Sequence, residues 1–172
     1  MEKKIVFAGI GGQGIVLLTR LVGEVLTRKG LKVISTETHG MATRGGSVIS
    51  FMKIGGFKSP LLLSKEADIA VVLHPDELER GLFYLKEGGI LVSYKEAGKA
   101  SDVLDISTVM EEKKIPFKSA NMVAAGVLFR ILKIDVEDAV RVLESNGKAT
   151  DENIKALKAG YIWEVEHVST AS

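Results

Sequence analysis

Glycines between residues 9 and 14 form the pattern in this chain that points most directly to chemistry. The stretch Gly-Ile-Gly-Gly-Gln-Gly follows a short apolar run, residues 5–8, and precedes a helix-like run, residues 15–28. A strand, a glycine turn and a helix bring backbone N–H groups and a helix N-terminus together on an anion, usually a phosphate. The turn therefore predicts one edge of a phosphate- or cofactor-binding site. The alternative is that the glycines only let the helix fold tightly onto its strand.

A second polar segment, residues 37–46, carries one acid, one imidazole and one guanidinium within eight residues. The planar fork of Arg44 suits a phosphate or a carboxylate, and an ion pair with Glu37 that holds the loop is the alternative. His39 could serve as an acid, a base or a substrate contact, or as a hydrogen-bonding residue of the loop. Gln13 could donate its amide either to a ligand or to this segment.

No pair of carboxylates, Ser-His-Asp set or metal-spaced pair of histidines stands out in the sequence. We therefore predict no catalytic residue and no metal ligand on this chain. His74 ends a buried strand without a partner nearby in sequence, so we expect a structural role for it. Asn121 is expected to cap a helix first and to contact a ligand second. Tyr161 and Trp163 are typical of packing or of an interface anchor.

Alternating strand-like and helix-like runs predict the fold. Continuous apolar runs indicate strands covered on both faces, at residues 5–10, 31–36, 47–54, 67–73, 90–94 and 103–106. The predicted helices cover residues 15–28, 74–86 (ended by Gly88-Gly89), 107–114, 122–132, 134–145 and 150–168. This order predicts an α/β chain with a three-layer α/β/α Rossmann-like sheet and a helical C-terminal region, in a single domain spanning residues 1–172. The first two strands should be parallel within a right-handed βαβ unit.

Composition excludes several classes of protein. The chain has 172 residues, with 23 Lys and Arg against 22 Asp and Glu, a balance that argues against a dedicated nucleic-acid-binding protein. It contains no cysteine, so it offers no thiolate nucleophile and no thiolate ligands for zinc or an iron–sulfur cluster. We expect a cytoplasmic location, because no apolar signal segment follows Met1 and no apolar run approaches the ~20 residues that span a bilayer.

A dinucleotide-binding interpretation stays open at this point. Gly9, Gly11 and Gly14 satisfy G-x-G-x-x-G, and Glu37 ends the next strand at about the offset of a ribose-binding acid. A stand-alone NAD(P)- or FAD-binding oxidoreductase is therefore an alternative function. The region after Glu37 argues against it, because a glycine segment leads directly into the strand at 47–54. That arrangement is typical of a strand pair near the sheet edge rather than of a second βαβ crossover.

The two glycine motifs together resemble the gamma-type domain of 2-oxoacid:ferredoxin oxidoreductases, and most closely the small (beta) subunit of the indolepyruvate type. The first motif is Gly-Gly-Gln-Gly at 11–14, and the second runs from Glu37 to Val48. Related subunits that act on pyruvate or 2-oxoglutarate tend to have a Tyr-Gly-Pro or Phe-Gly-Pro tract where this chain has His39-Gly40-Met41. The similarity extends from residue 3 to about residue 145, and includes the segment Asn121-Met122-x-x-x-Gly126.

The resemblance implies a complex that oxidatively decarboxylates a 2-oxoacid to an acyl-CoA and passes the electrons to ferredoxin. Thiamine diphosphate, Mg²⁺ and iron–sulfur clusters would lie on a larger partner chain, because this chain lacks cysteines and the Gly-Asp-Gly plus Asn-Asn pattern typical of thiamine diphosphate sites. Its own contribution would be two loops that face the arriving CoA or substrate: Gly11, Gly12, Gln13, Gly14, Arg44, Gly45 and Gly46. A pure assembly module, whose loops contact only protein, is the third hypothesis.

Overall fold

The structure, a computed structural model, describes residues 1–37, 45–95 and 102–168, of which 164–168 are described by their backbone alone. The described strands are β1 (Lys3–Ile10), β2 (Val33–Glu37), β3 (Ser47–Ile54), β4 (Ala67–Val72), β5 (Leu85–Ser93) and β6 (Asp102–Asp105). They form one six-stranded sheet in the order β2-β3-β1-β4-β5-β6. Strand β3 runs antiparallel to β1 and β2, whereas β1, β4, β5 and β6 are mutually parallel.

Helices lie on both sides of this sheet, which confirms the predicted α/β fold with a helical C-terminal region. The described helices are α1 (Ile15–Arg28), α2 (Leu78–Tyr84), α3 (Ser107–Glu112), α4 (Ala120–Ile131), α5 (Val136–Ser145) and α6 (Asp151–Val168). Short 3₁₀ turns at Pro75–Glu77 and Phe117–Ser119 lead into α2 and α4.

One sheet face, here called the five-helix face, holds most of the core. Alternate residues of β1, Ile5 and Phe7, point to this side and are fully buried. They pack in one cluster with apolar side chains of α1, α3, α4, α5 and α6. The opposite face, called the α2 face, has a smaller cluster in which Val6 and Ala8 meet Leu62 and side chains of α2. Among the described residues, α2 and the segment 57–66 are what covers that face.

Helix α1 follows the pattern that its sequence predicts. Its apolar stripe is buried from Ile15 to Leu26, as an amphipathic helix lying on a sheet requires. Arg28 lies in the last turn, where a cation interacts favourably with the helix dipole. Gly30 follows at φ 81°, the left-handed conformation in which a glycine commonly ends a helix.

Helices α4 and α6 approach each other closely because glycines face the contact. A Cβ added to Gly126 would clash with the carbonyl oxygen of Leu157, and one added to Gly160 would clash with the carbonyl oxygen of Val123. The two backbones can therefore lie against each other only where the side chain is missing. Helix α4 also packs against α1, α5 and the sheet, so nearly every residue of α4 is buried.

The second predicted helix is shorter than expected. The sequence predicts a helix over 74–86 that ends at Gly88-Gly89, whereas α2 ends at Tyr84 and both glycines lie inside β5. Leu85 pairs with Ala67 of β4, and the register then shifts before Ile69 meets Ile90. Parallel strand pairing therefore begins where the helix was expected to continue, and the glycines accompany a strand irregularity rather than a helix end.

The first two predicted strands share a direction but do not pair with each other. Strand β3 lies between them and bonds to both, with Val33 and Lys3 both opposite Ile54. The strand pair expected near the sheet edge is present, as β2 and β3, with β2 outermost. The strand that follows β2 along the chain is therefore its antiparallel neighbour and not a parallel strand of the sheet.

Candidate functional site

The two glycine segments predicted to face a ligand meet at one edge of the sheet. Because β3 runs antiparallel to β1, the start of β3 lies beside the end of β1, and Ser47 is opposite Ile10. The backbone N–H of Gly11 donates to the carbonyl oxygen of Gly46, with 2.7 Å between the nitrogen and the oxygen. We call the surface formed by Gly11–Gly14 with Gly45 and Gly46 the glycine rim.

Gln13 holds the rim to the neighbouring strand. Its side-chain oxygen accepts from the N–H of Ile10 at 2.9 Å, and its side-chain nitrogen donates to the carbonyl oxygen of Leu73 at 2.8 Å. The amide thus links the end of β1 to the end of β4. In the described geometry Gln13 has a structural role, because its two hydrogen bonds stabilise the glycine turn.

Gly12 is the member of the turn that is open to an approaching molecule. It is exposed and has φ 95°, a conformation that L-residues rarely adopt. Among the described residues, no atom lies within 4 Å of the position that its Cβ would take. Gly14, in contrast, is packed against the side chain of Asn121, where a Cβ would clash with the amide nitrogen. The turn therefore contains one open position, Gly12, and one close-packed position, Gly14.

The N-terminus of α1 gives this turn a positive character. Gly14 is the N-cap residue, so the first-turn N–H groups receive no side-chain cap, and the first turn contains no acidic residue. The partial positive charge of a 14-residue helix therefore faces the turn, and the first turn itself supplies no carboxylate to neutralise it. This arrangement favours a phosphate or carboxylate of a ligand.

Asn121 differs from its predicted role as a helix cap. Helix α4 begins at Ala120 after a 3₁₀ turn, so Asn121 lies within the helix, and Ser119 occupies the N-cap position without a side-chain capping bond. The amide nitrogen of Asn121 is 3.4 Å from the carbonyl oxygen of Gly14. Its side-chain oxygen accepts from the N–H of Met122 at 2.9 Å, so the side chain satisfies a donor in the first turn of α4 and also joins that helix to the glycine turn.

A polar cluster beside the rim, formed around the buried Glu77, was not found by sequence reasoning. The carboxylate of Glu77, only 7% exposed, accepts from the hydroxyl of Ser47 at 2.8 Å. Arg80 donates to the same hydroxyl at 2.6 Å, and its Nε lies 3.6 Å from Glu77. This cluster fixes the first residue of β3, directly after Gly46. Its only sequence signal is the acidic first turn after Pro75, which does not identify Ser47 as the partner.

Glu37 makes an ion pair with a residue of α1. Nε and Nη2 of Arg20 lie 3.1 and 3.2 Å from the two carboxylate oxygens, and this partner raises the pKa of the Arg20 guanidinium. Arg44 and His39 lie outside the described residues, so their predicted roles remain predictions. His74 has the structural role expected, because its Nδ1 accepts from the N–H of Asp76 at 3.1 Å and caps the 3₁₀ turn.

Two other kinds of feature are absent from the described part of the chain. Within residues 1–37, 45–95 and 102–163, no three His, Asp or Glu side chains are grouped closely enough to hold a metal ion. Across those ranges, none of the helices combines the length and the apolar character that crossing a membrane requires. Trp163 is 5% exposed and belongs to the core of the five-helix face, as the packing interpretation predicts.

Comparison with known proteins identifies the family. Residues 4–163 match the family model described as pyruvate ferredoxin/flavodoxin oxidoreductase. The indolepyruvate oxidoreductase subunit IorB of Archaeoglobus fulgidus is 30% identical, with 94% of each chain covered. The 2-oxoglutarate synthase subunit KorC of the same organism is 26% identical, with 93% of this chain and 87% of that protein covered.

Solved structures agree with the fold. The pyruvate oxidoreductase subunit PORC of Thermotoga maritima superposes with a TM-score of 0.73 at 21% identity, covering 94% of this chain and 96% of that chain. A 2-oxoglutarate:ferredoxin oxidoreductase of Magnetococcus marinus superposes with a TM-score of 0.76 at 23% identity. The match covers 96% of this chain but 31% of that one, so there the fold is one part of a longer polypeptide.

These relatives do not support a stand-alone NAD(P)- or FAD-binding oxidoreductase. They are named as subunits of enzymes that act on 2-oxoacids, and both glycine motifs that carry the resemblance lie within the matched residues. The chain therefore belongs to the pyruvate ferredoxin/flavodoxin oxidoreductase family and is a subunit of a 2-oxoacid:ferredoxin oxidoreductase complex.

Proposed function

We propose that this chain is the small subunit of an indolepyruvate-type 2-oxoacid:ferredoxin oxidoreductase and that its glycine rim receives coenzyme A. In the reaction, a 2-oxoacid, coenzyme A and two oxidised ferredoxins give an acyl-CoA, carbon dioxide, a proton and two reduced ferredoxins. The observation that carries the proposal is the hydrogen bond between Gly11 and Gly46, which unites the two motifs in one surface.

Coenzyme A is the reactant whose chemistry fits this surface best. It carries phosphates, whereas the 2-oxoacid presents a single carboxylate next to a ketone. Gly12 leaves room for a close approach to the backbone, and the uncapped N-terminus of α1 attracts an anion. Arg44, directly before Gly45, is proposed as a further phosphate contact because a guanidinium binds phosphate through two parallel hydrogen bonds.

The redox chemistry belongs to a larger partner chain in this proposal. Thiolates from cysteine usually hold iron–sulfur clusters, and this sequence has none. The residues of this chain also do not fit thiamine diphosphate and its Mg²⁺, since the Gly-Asp-Gly plus Asn-Asn pattern is missing. The chain's own role is to bind, orient and shield the reactant, while ferredoxin meets the complex through the partner.

The substrate is proposed to be an aryl 2-oxoacid such as indolepyruvate. The higher identity, 30%, is to a subunit named for indolepyruvate, against 26% for one named for 2-oxoglutarate. The segment His39-Gly40-Met41 agrees with this assignment, because pyruvate and 2-oxoglutarate subunits tend to have an aromatic residue followed by Gly-Pro there. Turnover of the purified complex with indolepyruvate, pyruvate and 2-oxoglutarate tests this choice directly.

The coenzyme A site can be tested with a matched pair of substitutions. Gly12 and Gly30 both have positive φ, 95° and 81°, and neither has an atom within 4 Å of its missing Cβ. Alanine at either position therefore carries the same left-handed strain of about 1–2 kcal/mol. The two glycines lie at opposite ends of α1, so only Gly12 belongs to the rim.

In the assembled complex, Gly12→Ala should raise the KM for coenzyme A at least tenfold, whereas Gly30→Ala should leave it within twofold. The KM for the 2-oxoacid should change little in either variant. If both variants keep the wild-type KM for coenzyme A, the rim contacts only protein and the assembly-module hypothesis is favoured. If the isolated chain turned over substrate with no partner present, the subunit assignment itself would be wrong.

A further inference from the structure

An exposed apolar patch lies on the α2 face, away from the glycine rim. Three of the six large hydrophobic side chains that are exposed in the described part of the chain belong to it: Leu61, Leu63 and Phe83, at 62, 71 and 54% exposure. Leu62, between the two leucines, points inward and is 6% exposed. Scattered exposed leucines need no explanation, but a cluster of this kind marks an interaction site.

Backbone and side-chain hydrogen bonds hold the patch together. The carbonyl oxygen of Phe83 accepts from the N–H of Lys65 at 3.1 Å and from the hydroxyl of Ser64 at 3.2 Å. The ammonium of Lys65 donates to the carbonyl oxygen of Leu82 at 2.7 Å, so it satisfies the C-terminal end of α2. These bonds hold residues 64 and 65 against the end of α2, so the segment that carries Leu63 is fixed next to the residue Phe83. The patch is therefore preorganised, which lowers the entropy cost of binding.

We propose that Leu61, Leu63 and Phe83 form the contact by which this chain docks on the larger subunit of its enzyme. The proposal rests on the proposed function, in which the rim completes a site whose reactive groups lie on that subunit. Helix α2 connects the two regions. Arg80, in its first turn, bonds to Ser47 behind the rim, and Phe83 lies at its other end. A seven-residue helix is about 10 Å long, so one partner surface can cover both.

The larger subunit fits this patch better than a second copy of the chain does. A stable interface buries about 800 Å² per partner, more than three side chains offer, so the contact must extend beyond the patch. An interface that continues from the patch along α2 reaches the rim. In the proposed function, the partner at the rim must supply the catalytic groups, and a second copy of this chain would supply none. In the Magnetococcus marinus structure, the same fold is joined to the remainder of a longer chain.

The test uses the double variant Leu63→Ser/Phe83→Ser and a matched control, Ile162→Ser. Ile162 is 58% exposed but lies on α6, on the five-helix side of the sheet. All three substituted positions lie at the surface, so thermal unfolding of the isolated chains should be nearly unchanged. The affinity of wild type and each variant for the tagged larger subunit, immobilised on a surface, would be measured. Light scattering would give the oligomeric state of the isolated chain.

We expect the double variant to bind the larger subunit at least 30-fold more weakly, as for an interface hot spot, and Ile162→Ser to bind within twofold of wild type. Equal binding by wild type and the double variant would overturn the docking assignment while leaving the subunit assignment intact. A wild-type dimer that the double variant abolishes would assign the patch to a second copy and also overturn it. Failure of the wild-type chain to bind the larger subunit at all would instead contradict the proposed function.

Discussion

The two faces of the sheet are built for different purposes. On the five-helix face, large side chains such as Phe7 and Phe129 are fully buried and join a continuous core that reaches five helices. On the α2 face, the buried cluster is smaller, and Leu61 and Leu63 beside it remain exposed. This difference indicates that packing on the five-helix face contributes most of the stability of the fold. The other side keeps apolar surface available and connects it to the glycine rim.

The largest difference between the faces should appear when a phenylalanine is shortened on each. The substitution Phe129→Ala should lower the unfolding free energy by about 3–5 kcal/mol, because Phe129 is fully buried in α4 and its removal leaves a cavity in a packed core. Phe83→Ala, at 54% exposure, should stay within about 0.5 kcal/mol of wild type. Denaturant unfolding measures both. Similar losses in the two variants would show that the α2 face contributes to stability as much as the other face.

A smaller effect is expected where α4 and α6 meet within the five-helix face. Gly126→Ala should lower the unfolding free energy by about 1–3 kcal/mol, because the added methyl group meets the backbone of Leu157. Gly56→Ala is the control, since no atom lies within 4 Å of its missing Cβ. Its stability should be equal to or slightly above that of wild type. A neutral Gly126→Ala would mean that the two helices can separate at no cost.

The smallest effect concerns the outer side of the five-helix face at acid pH. Hydrogen bonding by Lys29, at 2.7 Å, and the charges of Lys29 and Arg141 lower the pKa of the Asp138 carboxyl. A carboxyl whose folded pKa is depressed stabilises the protein above its unfolded pKa, and that contribution is lost as the pH falls through the folded pKa. Asp138→Asn should therefore be slightly less stable at pH 7 and should lose less stability on acidification.

Salt provides the control for that measurement. Exposed ion pairs contribute little and are screened, so the difference between Asp138→Asn and wild type should shrink at high ionic strength. A difference that persists in 1 M salt would indicate a packing change rather than the loss of charge pairing.

Local patterns in the sequence predicted much of this fold. The bounds of β3 and α1 agree with the apolar runs and glycine positions that predicted them, because both elements are specified by adjacent residues. The meeting of the two glycine segments was also predictable, from the family resemblance. The early end of α2 was not, since it depends on Leu85 pairing with a strand 18 residues earlier, and no local signal reports that pairing.

The candidate site shows the same division. Gly12 could be predicted from its neighbours, because a turn between a strand and a helix requires a glycine. The cluster of Ser47, Glu77 and Arg80 could not, because Ser47 and Glu77 are 30 residues apart and meet only when β3 and α2 are both in place. The position of Asn121 before an apolar run predicted a helix cap. Its contact with Gly14, which is 107 residues away in sequence, could not be predicted from that position.

The insertion of β3 between β1 and β2 has a consequence for nucleotide recognition. In a dinucleotide-binding fold, the acid that holds the ribose ends a strand directly beside the glycine turn. Here two strand spacings, about 10 Å in place of about 5 Å, separate the strand that ends at Glu37 from the turn. The number of residues between the glycine turn and Glu37 matches the dinucleotide-binding pattern, but the distance between the two strands that carry them is doubled. A ribose hydroxyl above the turn is therefore out of reach of the Glu37 carboxylate.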